Sequence, residues 1–193
     1  NTGVTDIEFD PSNPDVIYAA AYQRRRHTWA LLSGGPKSGL YKSVDNGTSF
    51  RKLKTGLPKG DMGKIGLAVT SANPELVYAT IEADNKERGF YRSMDRGESW
   101  EKRNSYISGG TGPHYYQEIE VSSENPDLVY QMDVFLHVTR DGGKSFNYLG
   151  TGREKHSDNH ALWIDPDNGK HLIAGTDAGL YETFDEGTKW RHF

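Results

Sequence analysis

The sequence contains no cysteine among its 193 residues. This absence excludes disulfide bonds, thiolate nucleophiles and zinc sites with cysteine ligands, but it does not fix the compartment, because many secreted bacterial proteins also lack cysteine. No apolar run approaches the roughly 20 residues that a membrane-spanning helix needs, and no charged start followed by an apolar stretch resembles a signal peptide. We therefore predict a chain that is not inserted into a membrane.

The chain also lacks an excess of positive charge. It has 23 Lys and Arg against 27 Asp and Glu, which gives a formal net charge of −4. A general nucleic-acid binder needs a basic excess to neutralise phosphates, so we do not expect a nucleic-acid partner. Hydrophobic residues make up 34% of the chain and aromatic residues 11%, which is typical of a globular protein. Nothing in the sequence indicates a cofactor.

Long segments with helical periodicity are a third absence. Instead, 22 glycines and 8 prolines interrupt short runs rich in Val, Ile, Tyr, Phe and Trp. Short apolar runs bounded by turn residues are typical of strands. The sequence therefore predicts an all-β fold.

A motif of the form Ser/Thr-x-Asp-x-Gly-x-x-aromatic occurs four times, and we call these segments the repeat turns. They lie at residues 43–50, 93–100, 139–146 and 183–190. An Asn-Pro or similar turn precedes each copy, at residues 10–18, 71–78, 123–130 and 165–173. The aspartates are 50, 46 and 44 residues apart, a period that suits a four-stranded propeller blade.

These landmarks predict four four-stranded antiparallel blades in one β-propeller segment that spans residues 1–193. The approximate blades are residues 1–53, 54–103, 104–149 and 150–193. Because both ends of the sequence coincide with blade boundaries, we expect part of a larger propeller, covered by further blades or by a partner chain.

Each repeat turn has a physical explanation. Its carboxylate can accept backbone N–H bonds across the turn, its glycine tolerates positive φ, and its aromatic residue can pack between strands. We therefore predict a structural role for Asp45, Asp95, Asp141 and Asp185. Calcium binding is a weaker alternative, because one carboxylate per turn is far from the about six to eight oxygens that calcium takes.

The repeat turns resemble the Asp-box, or bacterial neuraminidase repeat, of sialidases, xyloglucanase-type glycosidases and sortilin-type receptors. Residues 22–26, 115–119 and 158–165 are similar to segments of large bacterial sortilin-like or glycosyl-hydrolase-like repeat proteins. The resemblance implies a propeller fold and a secreted, periplasmic or cell-surface location. A sialidase is disfavoured, because the sequence has no Arg-Ile-Pro segment and its three candidate arginines are adjacent.

Blade topology places the second-to-third and blade-to-blade connections together, on what we call the variable-loop face, opposite the repeat turns. Variable loops commonly carry binding groups. The candidate ligand-binding residues there are Arg24, Arg25, Arg26, His27, Trp29, His114, Tyr115, Tyr116, His156, Asp158 and His160. Arginines suit an anionic ligand and aromatic rings can stack on sugars, but solvated loops and packing between blades are the structural alternatives. We predict no metal site, although residues 156–160 superficially offer ligands.

Three functional classes remain open at this point. The first is a surface module that binds a glycan, peptide or protein through the variable-loop face, and the second is a purely structural propeller segment. The third is a xyloglucanase-like glycoside hydrolase, which needs two carboxylates about 5 to 9.5 Å apart. Its candidates are Asp158, Asp177, Glu118 and Asp133, and no motif selects a pair among them.

Overall fold

The computed structural model describes residues 2–84, 86–107, 112–150 and 153–193. Within these residues the chain is all-β and contains no helix, so none is long and apolar enough to cross a membrane. Four antiparallel four-stranded sheets and one small hairpin account for its strands. The predicted fold class is confirmed.

In chain order the strands are β1 (Gly3–Phe9), β2 (Ile17–Tyr22), β3 (Arg24–Arg26), β4 (Leu31–Ser33), β5 (Gly39–Ser43), β6 (Arg51–Lys52), β7 (Ile65–Val69), β8 (Val77–Ile81), β9 (Gly89–Ser93), β10 (Glu101–Asn104), β11 (Ile119–Val121), β12 (Val129–Gln131), β13 (His137–Thr139), β14 (Asn147–Tyr148), β15 (Asn159–Asp165), β16 (Asn168–Thr176), β17 (Gly179–Thr183) and β18 (Arg191–His192). The four sheets have the orders β1-β2-β5-β6, β7-β8-β9-β10, β11-β12-β13-β14 and β15-β16-β17-β18. Each sheet is therefore one blade, numbered one to four.

The blades stack face to face in sequence order. Their first strands lie side by side, with β1 against β7, β7 against β11 and β11 against β15. Three buried apolar clusters fill the spaces between consecutive blades and include Tyr18, Tyr78 and Tyr130, which are almost completely buried. Since the first strand of each blade is innermost, the ends of these strands meet near one axis.

The outward faces of the first and fourth blades are apolar and exposed. On the first blade, Val4, Ile7 and Phe9 are each more than half exposed. On the fourth blade, Trp163 and Leu180 are about half exposed. Apolar faces of this kind are consistent with part of a larger propeller.

The repeat turns are closed by their own aspartates. Asp95 Oδ1 accepts hydrogen bonds from the Ser99 backbone N–H at 2.8 Å and from Ser93 Oγ at 2.7 Å. The same pattern recurs at Asp45, where hydrogen bonds from Ser49 and Ser43 lower the carboxyl pKa to about 2. These bonds join residues only two to four positions apart, so each turn is held by local contacts.

Candidate functional site

The Asn-Pro turns and the repeat turns share one face of the blades. The backbone N–H of Arg96 donates to the Glu75 carbonyl at 2.8 Å, and that of Gly142 donates to the Asp127 carbonyl at 3.0 Å. The second-to-third and blade-to-blade connections therefore emerge at the opposite end of the strands, which is the variable-loop face.

The long connection of the first blade contains a hairpin that the sequence did not predict. Its strands β3 and β4 pair Arg24 with Ser33 and Arg26 with Leu31, and all three arginines are exposed. At its tip the rings of His27 and Trp29 stack with centroids 5.2 Å apart, and Trp29 is 82% exposed. The hairpin thus presents a stacked aromatic pair to solvent.

This hairpin contacts the third blade through Arg26. Its Nη1 donates to the Tyr115 hydroxyl at 2.7 Å, and its guanidinium carbon lies 5.9 Å from the centre of that ring. The ring of His114 lies 4.4 Å from that of Tyr115. Partial burial, followed by the positive charge of Arg24, lowers the pKa of His114. The imidazole of His114 is therefore neutral over a wider pH range than that of an ordinary histidine.

A second set of contacts joins the third blade to the fourth. The Tyr116 hydroxyl donates to Asp158 Oδ1 at 2.8 Å, and the Tyr116 ring stacks on His160 with centroids 5.3 Å apart. His160 Nε2 lies 3.1 Å from Asp177 Oδ1. Because Tyr115 and Tyr116 are consecutive, the two sets are continuous, and we call the resulting group the cross-blade network: Arg26, Tyr115, Tyr116, Asp158, His160 and Asp177.

Besides His114 and the hairpin residues other than Arg26, three predicted residues lie outside this network: Glu118, Asp133 and His156. Glu118 pairs with Lys64 at 2.7 Å. Asp133 accepts a hydrogen bond from the Tyr106 hydroxyl at 3.3 Å. His156 is exposed, contacts the Ser157 carbonyl and lines a separate cavity at the outer rim. Two of the four candidate carboxylates, Asp158 and Asp177, thus contact the Tyr116–His160 stack. The other two, Glu118 and Asp133, have the separate partners given above.

Sequence analysis missed a group of acids between the innermost strands. Asp6, Glu8 and Glu120 line a cleft together with Lys64 and Glu118. Burial, followed by the nearby charges of Asp6 and Glu120, raises the pKa of Glu8 to about 8, and burial together with Asp6 raises that of Glu120 to about 7. Acids alternate with apolar residues at positions 6 and 8 and at 118 and 120, and this alternation is the signal in the sequence that could have identified the group.

Among the residues that the structure describes, no group of three or more His, Asp or Glu side chains is arranged to hold a metal ion. The cross-blade network offers the exposed ring of Tyr115, the buried ring of Tyr116, a guanidinium, an imidazole and two carboxylates. Such groups can stack against a sugar and hydrogen-bond its hydroxyls.

Comparison with known sequences gives one informative relative. No protein-family profile matches the chain. A xyloglucanase from Paenibacillus sp is 34% identical over 95 residues, which are 49% of this chain and 8% of that protein. The chain thus spans less than a tenth of the length of this relative.

Solved structures match almost the whole chain. The GH74 xyloglucanase from Xanthomonas campestris has a TM-score of 0.68 and 18% identity over 98% of this chain and 30% of its own. An ancestral GH74 enzyme has a TM-score of 0.65 and 17% identity over 98% of this chain and 24% of its own. YCF48 bound to D1 peptide has a TM-score of 0.61 and 14% identity over 98% and 53%. At these identities the likeness shows the fold alone, which is a β-propeller.

Proposed function

We propose that this chain is a carbohydrate-binding β-propeller module, part of a larger secreted or surface protein, that holds a glycan against its variable-loop face. The observation that carries the proposal is the continuous cross-blade network beside the exposed His27–Trp29 pair. Aromatic faces supply apolar contact with a sugar ring, while carboxylates and a guanidinium bind its hydroxyls. The similarity to a xyloglucanase favours a plant-type β-glucan over a peptide ligand.

The binding proposal is tested with the purified chain on soluble xyloglucan. We expect retarded migration in affinity electrophoresis, and an affinity lowered about tenfold by Trp29→Ala or Tyr115→Ala, because each ring contributes on the order of 1 kcal/mol. Trp163→Ala is the matched control, since it removes a half-exposed tryptophan from the outward face of the fourth blade.

Two outcomes would contradict the proposal. One is the absence of binding to xyloglucan and to other soluble polysaccharides. The other is an equal loss of affinity in the Trp163→Ala control, which would show that any exposed tryptophan has the same effect. An unstructured peptide that binds at the same face, and that neither xyloglucan nor another soluble polysaccharide displaces, would assign the face to protein recognition instead.

Hydrolysis is a second candidate, favoured by the same sequence similarity. In this proposal Asp158 and Asp177 are the carboxylate pair, positioned by the Tyr116–His160 stack. Release of reducing ends from xyloglucan by the wild type, abolished in both Asp158→Asn and Asp177→Asn, would support it. Binding without release of reducing ends would leave a binding module and exclude hydrolysis by this chain alone.

A further inference from the structure

A cavity of about 340 Å³ lies at the outer rim between the third and fourth blades, and we call it the rim cavity. Its walls come from the β12–β13 loop, the end of β14, the segment before β15 and the fourth repeat turn. Its lining includes Phe135, Leu136, Tyr148, Leu149, Lys155 and Trp190. Its volume is within the range of small-molecule sites.

The walls of the rim cavity are mostly apolar and well positioned. The rings of Phe135 and Tyr148 meet edge to face with centroids 5.5 Å apart. The backbone N–H of Leu149 donates to the Leu136 carbonyl at 2.8 Å, which holds the loop against the end of β14. Trp190 Nε1 donates to the Gly187 carbonyl at 3.0 Å, and this bond fixes the orientation of the indole.

Lys155 places a cation in this apolar setting. Lys155 Nζ lies 5.5 Å from the centre of the Trp190 ring and donates to the His156 carbonyl and the Asn159 side-chain oxygen. Both acceptors are uncharged. Burial alone lowers the pKa of Lys155 to about 8. A partly desolvated ammonium with neutral acceptors is stabilised by any anion that reaches it.

We propose that the rim cavity binds a small aromatic carboxylate, whose ring packs on Trp190 and Tyr148 and whose carboxylate pairs with Lys155 Nζ. Glu154 also lines the cavity, and its carboxylate lies beside Gly150. This site is separate from the cross-blade network and does not depend on the proposed glycan binding.

The test compares the binding of three probes to the chain at pH 7. Binding is measured by NMR saturation transfer and by calorimetry. Phenylacetate has both the ring and the charge, 2-phenylethanol has only the ring, and acetate has only the charge. We expect phenylacetate to bind at least about tenfold more tightly than either partial probe, because a charge-assisted bond and the apolar contact act together. Its affinity falls between pH 7 and 9, since Lys155 loses its proton.

Variants assign the binding to this cavity. Lys155→Met keeps the aliphatic stem but removes the charge, and we expect it to weaken phenylacetate binding about tenfold or more. Lys102→Met is the matched control, because Lys102 Nζ donates to the Lys86 carbonyl at an exposed position. Phe135→Ala removes the half-exposed ring that packs edge to face on Tyr148, and so tests the aromatic wall without relying on Lys155.

The proposal fails if phenylacetate does not bind at millimolar concentration. It also fails if Lys155→Met and Phe135→Ala, with melting curves like that of the wild type, bind phenylacetate as the wild type does. Trp29→Ala should leave phenylacetate binding unchanged, so failure here and failure of the glycan proposal are distinguishable.

Discussion

Phe50 and Trp100 stand at equivalent positions of the first two repeat turns, yet their surroundings differ. Trp100 is 6% exposed and belongs to the core between the first and second blades. Phe50 is 45% exposed, near the outward face of the first blade. The aromatic residue of a repeat turn therefore contributes to packing only where a neighbouring blade covers it.

Substitution of these two residues should separate packing from turn formation. We expect Trp100→Ala to lower the free energy of unfolding by about 3–5 kcal/mol, because it leaves a cavity in the core. Phe50→Ala should cost less than about 1 kcal/mol. Urea denaturation measures both. Equal losses for the two variants would mean that the aromatic residue acts within its own turn.

Glu8 provides a pH-dependent test at the same scale. Its folded-state pKa of about 8 exceeds its ordinary value of 4.5, so between these pH values the folded chain holds more protons than the unfolded chain. The contribution of Glu8 to the free energy of unfolding is therefore fully present below about pH 4.5 and is lost as the pH rises through about 8.

Comparison of Glu8→Gln with the wild type isolates this effect. Relative to the wild type, the variant should become more stable as the pH rises from 5 to 9, by on the order of 2 kcal/mol, because an amide cannot ionise. Thermal melts at several pH values measure the difference. Glu101→Gln is the control, since the Glu101 side chain is 65% exposed. A difference in stability between Glu8→Gln and the wild type that stays the same from pH 5 to 9 would contradict the expectation.

At the scale of elements, β7 approaches the segment before β11 very closely. A Cβ on Gly66 would lie 1.5 Å from the Gln117 carbonyl oxygen, which is part of the backbone and cannot move aside as a side chain would. A Cβ on Gly175, in β16, would have its nearest neighbour at an ordinary 3.5 Å. The contact between the second and third blades thus requires glycine at position 66.

We expect Gly66→Ala to destabilise the chain by about 3 kcal/mol or more, whereas Gly175→Ala changes stability by less than about 1 kcal/mol. The melting temperature of each variant by circular dichroism measures this. A well-folded Gly66→Ala variant with unchanged melting would show that the two blades can separate at no cost.

The elements were predictable from sequence to different degrees. The order of the sixteen blade strands follows from repeated turn chemistry, because each repeat turn is closed by residues at most four positions away. The hairpin β3–β4 was not predicted, since Arg-Arg-Arg and Leu-Leu-Ser have neither alternation nor a turn pair such as Asn-Gly.

The site was less predictable than the fold. The sequence grouped residues by face, but Arg26 and Tyr115 are 89 positions apart and meet only because the β3–β4 hairpin of the first blade reaches the third blade. Which of two neighbouring tyrosines turns toward Asp158 is likewise decided by packing between blades. The raised pKa values of Glu8 and Glu120 depend on burial between innermost strands, which a single strand pattern does not contain.

At the scale of the whole molecule, the exposed apolar faces of the first and fourth blades should make the isolated chain self-associate. We expect weight-average mass in sedimentation experiments to rise with concentration. Ile7→Lys combined with Leu180→Lys, one change on each face, should suppress the rise. Val44→Lys is the control, because Val44 is 63% exposed but lies in a repeat turn. A monomer at all concentrations would contradict this expectation.

The stacking of each blade on its sequence neighbours has a kinetic consequence. Strand pairs within a blade join residues close in sequence, and the blades contact one another in order along a line. A linear array of this kind can open from its ends without breaking its middle. Native-state hydrogen exchange should therefore be fastest for amides of β1 and β17 and slowest for those of β8 and β12. The second and third blades would then nucleate folding, and the terminal blades would join them last.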